Sequence, residues 1–384
     1  MSDDLARLKE MRERIDALDE QLLELLSRRQ EVVAEVVAFK KEHRMPVYHP
    51  AREADLIDER RRSAARAGLD PDCIEEIFRN IMRFSRATQT REIARVGVKP
   101  GARILLVGGG GAMGRLFSRW FRLSGYEVRI LETGDWGRVD ELCRGLDLAL
   151  VTVPIAVTVE TIEKLAPHLP PDCILADLTS IKQVTVRAML ENFAGPVIGF
   201  HPMFGPDAGS MERQIMVVTP GRERDEDGWV AEQFAAWGAV MVRSDPVEHD
   251  EIMAVVQALR HFATFTFGRF LYQQQIDLKR TLEFSSPIYR LELDMVGRLF
   301  AQDPELYSEI IYATPQRLEL LKQYLTSFKQ NLELLGTGET VASETDGRQA
   351  FIREFKEIAA WFGPFSHQAI RESSYLIDKL IDRF

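Results

Sequence analysis

"ARILLVGGGGAMGRLFSRWFRLSGYEVRILE", residues 102–132, decides the fold. An apolar run, a cluster of glycines, an amphipathic stretch and a second apolar run follow one another, which reads as strand, glycine-rich turn, helix and strand. Gly109, Gly111 and Gly114 fit G-x-G-x-x-G with Met113 inside the motif, and an acid, Glu132, ends the second strand 18 residues after Gly114. Glycines so spaced let a backbone approach a pyrophosphate at the helix N-terminus, and a carboxylate at the end of the next strand accepts from both ribose hydroxyls. That carboxylate repels a 2′-phosphate. The expected cofactor is therefore NAD, held by Gly109, Gly111, Met113, Gly114 and Glu132.

Working outward, "LDLALVTV" (146–153), "CILADL" (173–178), "PVIGF" (196–200) and "IMVVTP" (215–220) are further apolar strands, separated by segments long enough for crossover helices. A doubly wound, parallel, Rossmann-like sheet is expected over 101–244. From 245 to 384 helical spacing returns with large apolar faces, giving an all-helical domain suited to an oligomer interface; "GTGETVASETDG" (336–347) reads as a loop between helices, and "LYSEIIYATPQRLELLKQYL" as one helical stretch. On the N-terminal side, residues 3–42 contain no glycine or proline and repeat apolar residues at helical spacing. Such a helix is about 60 Å long, more than one small domain can cover, so it wants a partner. Shorter helices over 51–67 and from Pro71 to about Arg91 complete an all-helical domain at 1–92.

A length of 384 residues fits this multidomain α and α/β plan. A net charge of −10 argues against a nucleic-acid backbone or an anionic membrane as partner, since either calls for surplus Lys and Arg. Three widely spaced cysteines without a C-x-x-C pair exclude a disulfide framework and fit a reducing cytoplasm. The seven histidines show no i,i+3 or i,i+4 pairing, so no metal is expected.

One histidine stands apart. His201, in "VIGFHPMFGPD" (197–207), follows a strand at the sheet edge where such folds place their ligands. When a hydride leaves a carbon bearing a hydroxyl, the hydroxyl must lose its proton, and imidazole, with an ordinary pKa of about 6.5, suits that task. Ser180, at the end of the preceding strand in "ADLTSIK", either orients the imidazole or caps the helix that follows, and one hydroxyl can do both.

"VGGGGAMGRLF", "DLTSIK", "GFHPMFGPD", "VEHDEIMAVVQALRHFATF" and "SSPIYRLELDMVGRLFAQDP" together resemble prephenate dehydrogenases over residues 101–384. The resemblance implies hydride transfer from C4 of prephenate to NAD with loss of CO2, giving 4-hydroxyphenylpyruvate. It implies His201 as acceptor of the 4-hydroxyl proton, Ser180 as its positioner, Arg298 as anchor of the ring carboxylate, and His261 and Asp207 as pocket residues. Arg290 is an alternative anchor. Residues 1–92, through "MRERIDALDEQLLELLSRRQEVVAEVVAFKKEH", "READLIDERR" and "SRATQ", resemble the all-helical chorismate mutases.

That second resemblance implies Arg29, Arg52 and Arg12 of the partner subunit on the two carboxylates, Lys40 and Gln89 on the ether oxygen, Glu53 on the ring hydroxyl, and Ser85 on the same helical face as Gln89. The geometry of one helix agrees, since Arg29 and Lys40 are 11 residues, or about 16 Å, apart on nearly one face. Arg12 lies about 26 Å before Arg29, beyond reach of the same ligand. His49 stands where one branch of that family has an acid. The whole chain thus resembles the bifunctional chorismate mutase/prephenate dehydrogenase family of tyrosine biosynthesis, implying chorismate and prephenate as substrates, a homodimer, and inhibition by tyrosine. Prephenate versus arogenate is left open by the residues themselves.

Overall fold

The computed structural model describes residues 2–42, 50–93, 96–222, 224–335 and 341–381, which fall into two units, Met1–His249 and Asp250–Phe384. With nothing to break it, the N-terminal segment is a single helix, α1 (Ser2–Glu42). Helices α2 (Pro50–Arg66) and α3 (Pro71–Ile93) pack on each other, and α1 packs on α3. The α2–α3 turn is made by Gly68 at φ +71° and by Asp70, whose carboxylate accepts from the Asp72 amide at 2.9 Å. Val33, Val37, Ile57, Ala64 and Met82 are buried here, whereas Leu5, Ile15, Leu18, Leu22 and Leu25 are exposed, Leu22 by 58%.

The sheet strands are β1 (Arg103–Val107), β2 (Glu127–Leu131), β3 (Leu148–Val151), β4 (Ile174–Asp177), β5 (Val197–Pro202), β6 (Ile215–Arg222) and β7 (Val240–Arg243). Among the described residues they form one sheet in the order β2-β1-β3-β4-β5-β6-β7. Both faces of β1 are covered, which is why it reads as an unbroken apolar run. Ile104 and Leu106 enter a core with Phe117, Phe121 and Phe234; Leu105 and Val107 enter a second with Ile162, Val186 and Met189. Helix α4 (Ala112–Leu123) supplies Phe117, Trp120 and Phe121 to the first core. Because β1 lies between β2 and β3, the chain reverses direction there and opens a crevice at the strands' carboxyl ends.

The sheet departs from the expected pattern at one edge. β1 to β5 are parallel, but β6 returns antiparallel to β5. The connecting segment 203–214 contains Gly205, Pro206 and Gly209 and forms no crossover helix, without which a parallel return is not made. β7, parallel to β6, was not foreseen, because a largely exposed edge strand shows no buried run.

The second unit is helical. Pro287–Phe300, Pro304–Tyr312 and Pro315–Leu334 each start on proline after a capping side chain: Ser286 accepts from the Tyr289 amide, Asp303 from Glu305 and Thr314 from Arg317. The stretch 306–325 read from sequence as one helical run is thus two helices, divided ahead of Pro315, which cannot donate a helical bond. A π-helical turn at Ala254–Leu259 precedes the helix Arg260–Gln273. The expected loop at 336–347 is corrected in part, since the helix Val341–Phe362 includes its last residues. Gly347 serves close packing there, not a turn: a Cβ would lie 2.9 Å from the Leu335 carbonyl oxygen. No described helix is long and apolar enough to cross a membrane.

Candidate active sites

The ends of β1, β2 and β3 wall a cleft of about 510 Å³ whose lining includes Gly108, Gly111, Glu132, Trp136, Thr152, Val153 and Lys164. Gly108 turns the chain at φ +77°, and a Cβ on Gly114 would lie 2.6 Å from the Gly108 carbonyl oxygen, so only glycine lets α4 begin this close to β1. Glu132 sits just past β2, and its carboxylate accepts from the Gly110 amide. These features fit a dinucleotide, with the diphosphate at the start of α4 and a ribose at Glu132. Of the other expected cofactor residues, Gly109 lines a neighbouring groove with Arg115, Arg119 and Arg122, while Met113 packs against the core. Gly108 and the Lys164–Trp136 cation–π pair, at 4.1 Å, were missed from sequence.

β4 and β5 run side by side with Asp177 opposite Gly199, bringing the segments that carry Ser180 and His201 to one sheet edge. His201 is 4% exposed, and its Nδ1 lies 2.9 Å from Nε2 of His249, itself 1% exposed, in the first turns of the helix Pro246–Met253. His249 was overlooked because 48 residues separate the pair and no local spacing connects them. Ser180 is buried but does not cap the next helix, which starts at Gln183 after Lys182. The intervening backbone is pinned from below: Lys182 is fully buried and donates to Asp177 at 2.5 Å, and the Thr179 amide donates to the same carboxylate at 3.0 Å. Removing one partner of such a pair costs about 3–5 kcal/mol, which holds the Ser180 turn in place. Asp207 is exposed, in the loop after β5.

Within the second unit, His261 and Arg298 belong to one cluster. The His261 ring meets the Tyr307 ring edge-on at 4.7 Å, and the charges of Arg298 and Arg260 both reach the Tyr307 phenol, whose pKa burial nonetheless raises. Burial, then the neighbouring Arg260, lowers the His261 pKa to about 4, so this imidazole is neutral at physiological pH. Arg260 and Tyr307 went unnoticed in the sequence. Arg290, the alternative anchor, donates to the Leu282 carbonyl oxygen at 3.5 Å.

The three N-terminal helices bring together the other residues. Arg29 on α1 donates to Ser85 on α3, and Lys40 donates to Gln89 Oε1 at 3.4 Å. Burial lowers the Lys40 pKa; Arg52 lowers it further and Glu53 opposes both, so the three charges lie close enough to interact. Burial likewise lowers that of Arg29. Arg12 is exposed, far along α1, and His49 lies outside the described residues. Arg86, between Ser85 and Gln89 in "SRATQ", was passed over; it is buried and paired with Glu53.

Residues 11–90 match the family model of chorismate mutase type II, 130–244 the nucleotide-binding domain of prephenate dehydrogenase, and 245–361 its dimerization domain. A T-protein of Enterobacter agglomerans is 42% identical over 97% of this chain and 98% of its own length; one of Haemophilus influenzae is 40% identical over 98% and 97%. The crystal structure of prephenate dehydrogenase from A. aeolicus in complex with hydroxyphenyl propionate and NAD+ shares the fold with a TM-score of 0.54 at 19% identity, over 72% of this chain and 99% of that one. Sheet, cleft and helices define an NAD-dependent dehydrogenase fused to a helical mutase. The chain belongs to the bifunctional chorismate mutase/prephenate dehydrogenase family of tyrosine biosynthesis, the T-proteins.

Proposed function

We propose that chorismate is rearranged among α1, α2 and α3, and that the resulting prephenate is oxidised and decarboxylated at the edge formed by β4 and β5. The rearrangement is unimolecular and uses no nucleophile, so holding one conformer and stabilising charge on the breaking C–O bond suffices. Lys40 and Gln89 face the ether oxygen, Arg29, Arg52 and Arg12 of the partner subunit take the carboxylates with Ser85 setting the Arg29 fork, and Glu53 accepts the ring hydroxyl. The proximity of the Lys40, Arg52 and Glu53 charges supports this.

At the second site, the cleft with Gly108, Gly111 and Glu132 would hold NAD, which would supply the acceptor for the C4 hydride. His201 takes the 4-hydroxyl proton on Nε2, because Nδ1 is engaged by His249 and the acceptor nitrogen must carry a lone pair. The His201 Nδ1–H donates to Nε2 of His249, which thereby fixes the tautomer. Ser180 holds the imidazole from the neighbouring strand, and Arg298 anchors the ring carboxylate beside His261, with Asp207 at the pocket loop. The products are 4-hydroxyphenylpyruvate, CO2 and NADH.

The observation that carries the dehydrogenase reading is the buried His201–His249 pair at the ligand-bearing edge of a dinucleotide sheet. We further propose a cytoplasmic homodimer inhibited by tyrosine, organised as domains 1–92, 101–244 and 245–384. The exposed apolar row of α1 and Trp361, 81% exposed in the dimerization domain, support a second copy. The test is to follow chorismate loss alone, then NADH formation with prephenate or arogenate. Chorismate turnover and prephenate-dependent NADH are expected; arogenate-only oxidation without chorismate turnover contradicts the reading.

A further inference from the structure

Arg86 lies on α3 within the mutase match, and its side chain is only 7% exposed. Its Nη1 donates to both carboxylate oxygens of Glu53, at 2.6 and 2.5 Å. Its Nε donates to Glu212, whose side chain is 9% exposed and which belongs to the nucleotide-binding domain. One buried guanidinium thus joins a carboxylate of the mutase pocket to a carboxylate of the other catalytic domain. Burial works against the charged guanidinium, but the two carboxylates outweigh it and the Arg86 pKa rises. Such a fork fixes direction as well as distance, since Arg presents its N–H groups in a rigid plane.

The far end of the link is rigid. Glu212 lies near the end of the segment 203–214 that joins β5 to β6; its amide donates to Ser210 Oγ at 3.0 Å, and the Arg213 amide donates to the Gly238 carbonyl oxygen at 2.8 Å. Glu53, by contrast, is on α2 and is 22% exposed, so its carboxylate takes its position from Arg86. Without Glu212, the guanidinium would lose one of its carboxylate partners and would shift toward Glu53, neutralising the charge offered to the ring hydroxyl.

We infer that Arg86 is a positioning residue for the mutase, anchored by Glu212, so that chorismate rearrangement depends on a carboxylate from the dehydrogenase's nucleotide-binding domain. This rests on the placement of Glu53 in the mutase site. The test uses the full chain with Glu212→Gln, Arg86→Lys, Glu53→Gln and the double variant Glu53→Gln/Glu212→Gln, assaying both reactions on each preparation. Glu212→Gln should lower mutase kcat/KM by about twofold to thirtyfold, the range for residues coupled through a network, while NADH formation from saturating prephenate is unchanged. Arg86→Lys, keeping charge but losing the fork, should lower the mutase rate similarly.

In the Glu53→Gln background, Glu212→Gln should have no further effect, because the path it acts through is already cut. A purely structural contact would instead give additive losses or a parallel fall in both activities, and either result overturns the inference. Full mutase activity in Glu212→Gln overturns it as well, while Glu53→Gln abolishing that activity would leave the site assignment standing. Full mutase activity in Glu53→Gln would remove both.

Discussion

The sheet-edge site and the helical site are built on opposite plans. At the sheet edge, β5 carries His201 against a second imidazole, and β4 leads into the buried Ser180 turn, which the Asp177–Lys182 pair pins from within. In the helical region, α1 runs exposed for most of its length, and the pocket gathers charges from three helices near one end, leaving Arg12 well outside it. A site doing proton transfer needs one group at one angle in a dry setting, which a sheet edge supplies. A site for a unimolecular rearrangement needs several charges around a small dianion, and three helices gather them here.

If the two sites are separate, single substitutions should divide the activities. His201→Asn should lower prephenate-dependent NADH formation by about 10²–10⁴-fold, the worth of a general base, with chorismate turnover retained; steady-state kinetics on both substrates checks this. Lys40→Ala should do the reverse, lowering mutase kcat by about 10²–10³-fold through loss of charge stabilisation, with prephenate oxidation unchanged. His249→Phe should lower dehydrogenase kcat by about tenfold to a hundredfold, as for partners that orient a working histidine, with KM for prephenate little altered. It should also shift the pH profile of kcat, since the tautomer of His201 is no longer fixed.

The smallest effect concerns His261. With its pKa lowered from 6.5 to about 4 in the folded chain, the unfolded chain binds more protons between those values. Stability contributed by this group is therefore complete above the ordinary histidine pKa and declines as pH falls toward 4. Urea midpoints should fall between pH 7 and pH 5, and His261→Gln should reduce that fall; an identical pH dependence in the variant would show that another group carries it.

Features with a local signature were legible in the sequence. The glycine turn, β1 to β6 and the limits of α1 follow from periodicity and from where glycine and proline stand. β7 was not legible, because an exposed edge carries no buried alternation, and the direction of β6 turned on a helix that Gly205, Pro206 and Gly209 prevent. The pairings were also hidden: His201 with His249, and Arg86 with Glu53 and Glu212, join residues 48, 33 and 126 positions apart. Such proximity is a product of packing, and neither composition nor spacing records it.

The most direct measurement supplies chorismate and NAD to the wild-type chain, Lys40→Ala and His201→Asn, and follows chorismate and NADH together. The wild-type chain should consume chorismate and form NADH. Lys40→Ala should form NADH only when prephenate is added, and His201→Asn should consume chorismate without forming NADH. If either substitution alone abolishes both half-reactions in folded protein, the two-site account is contradicted.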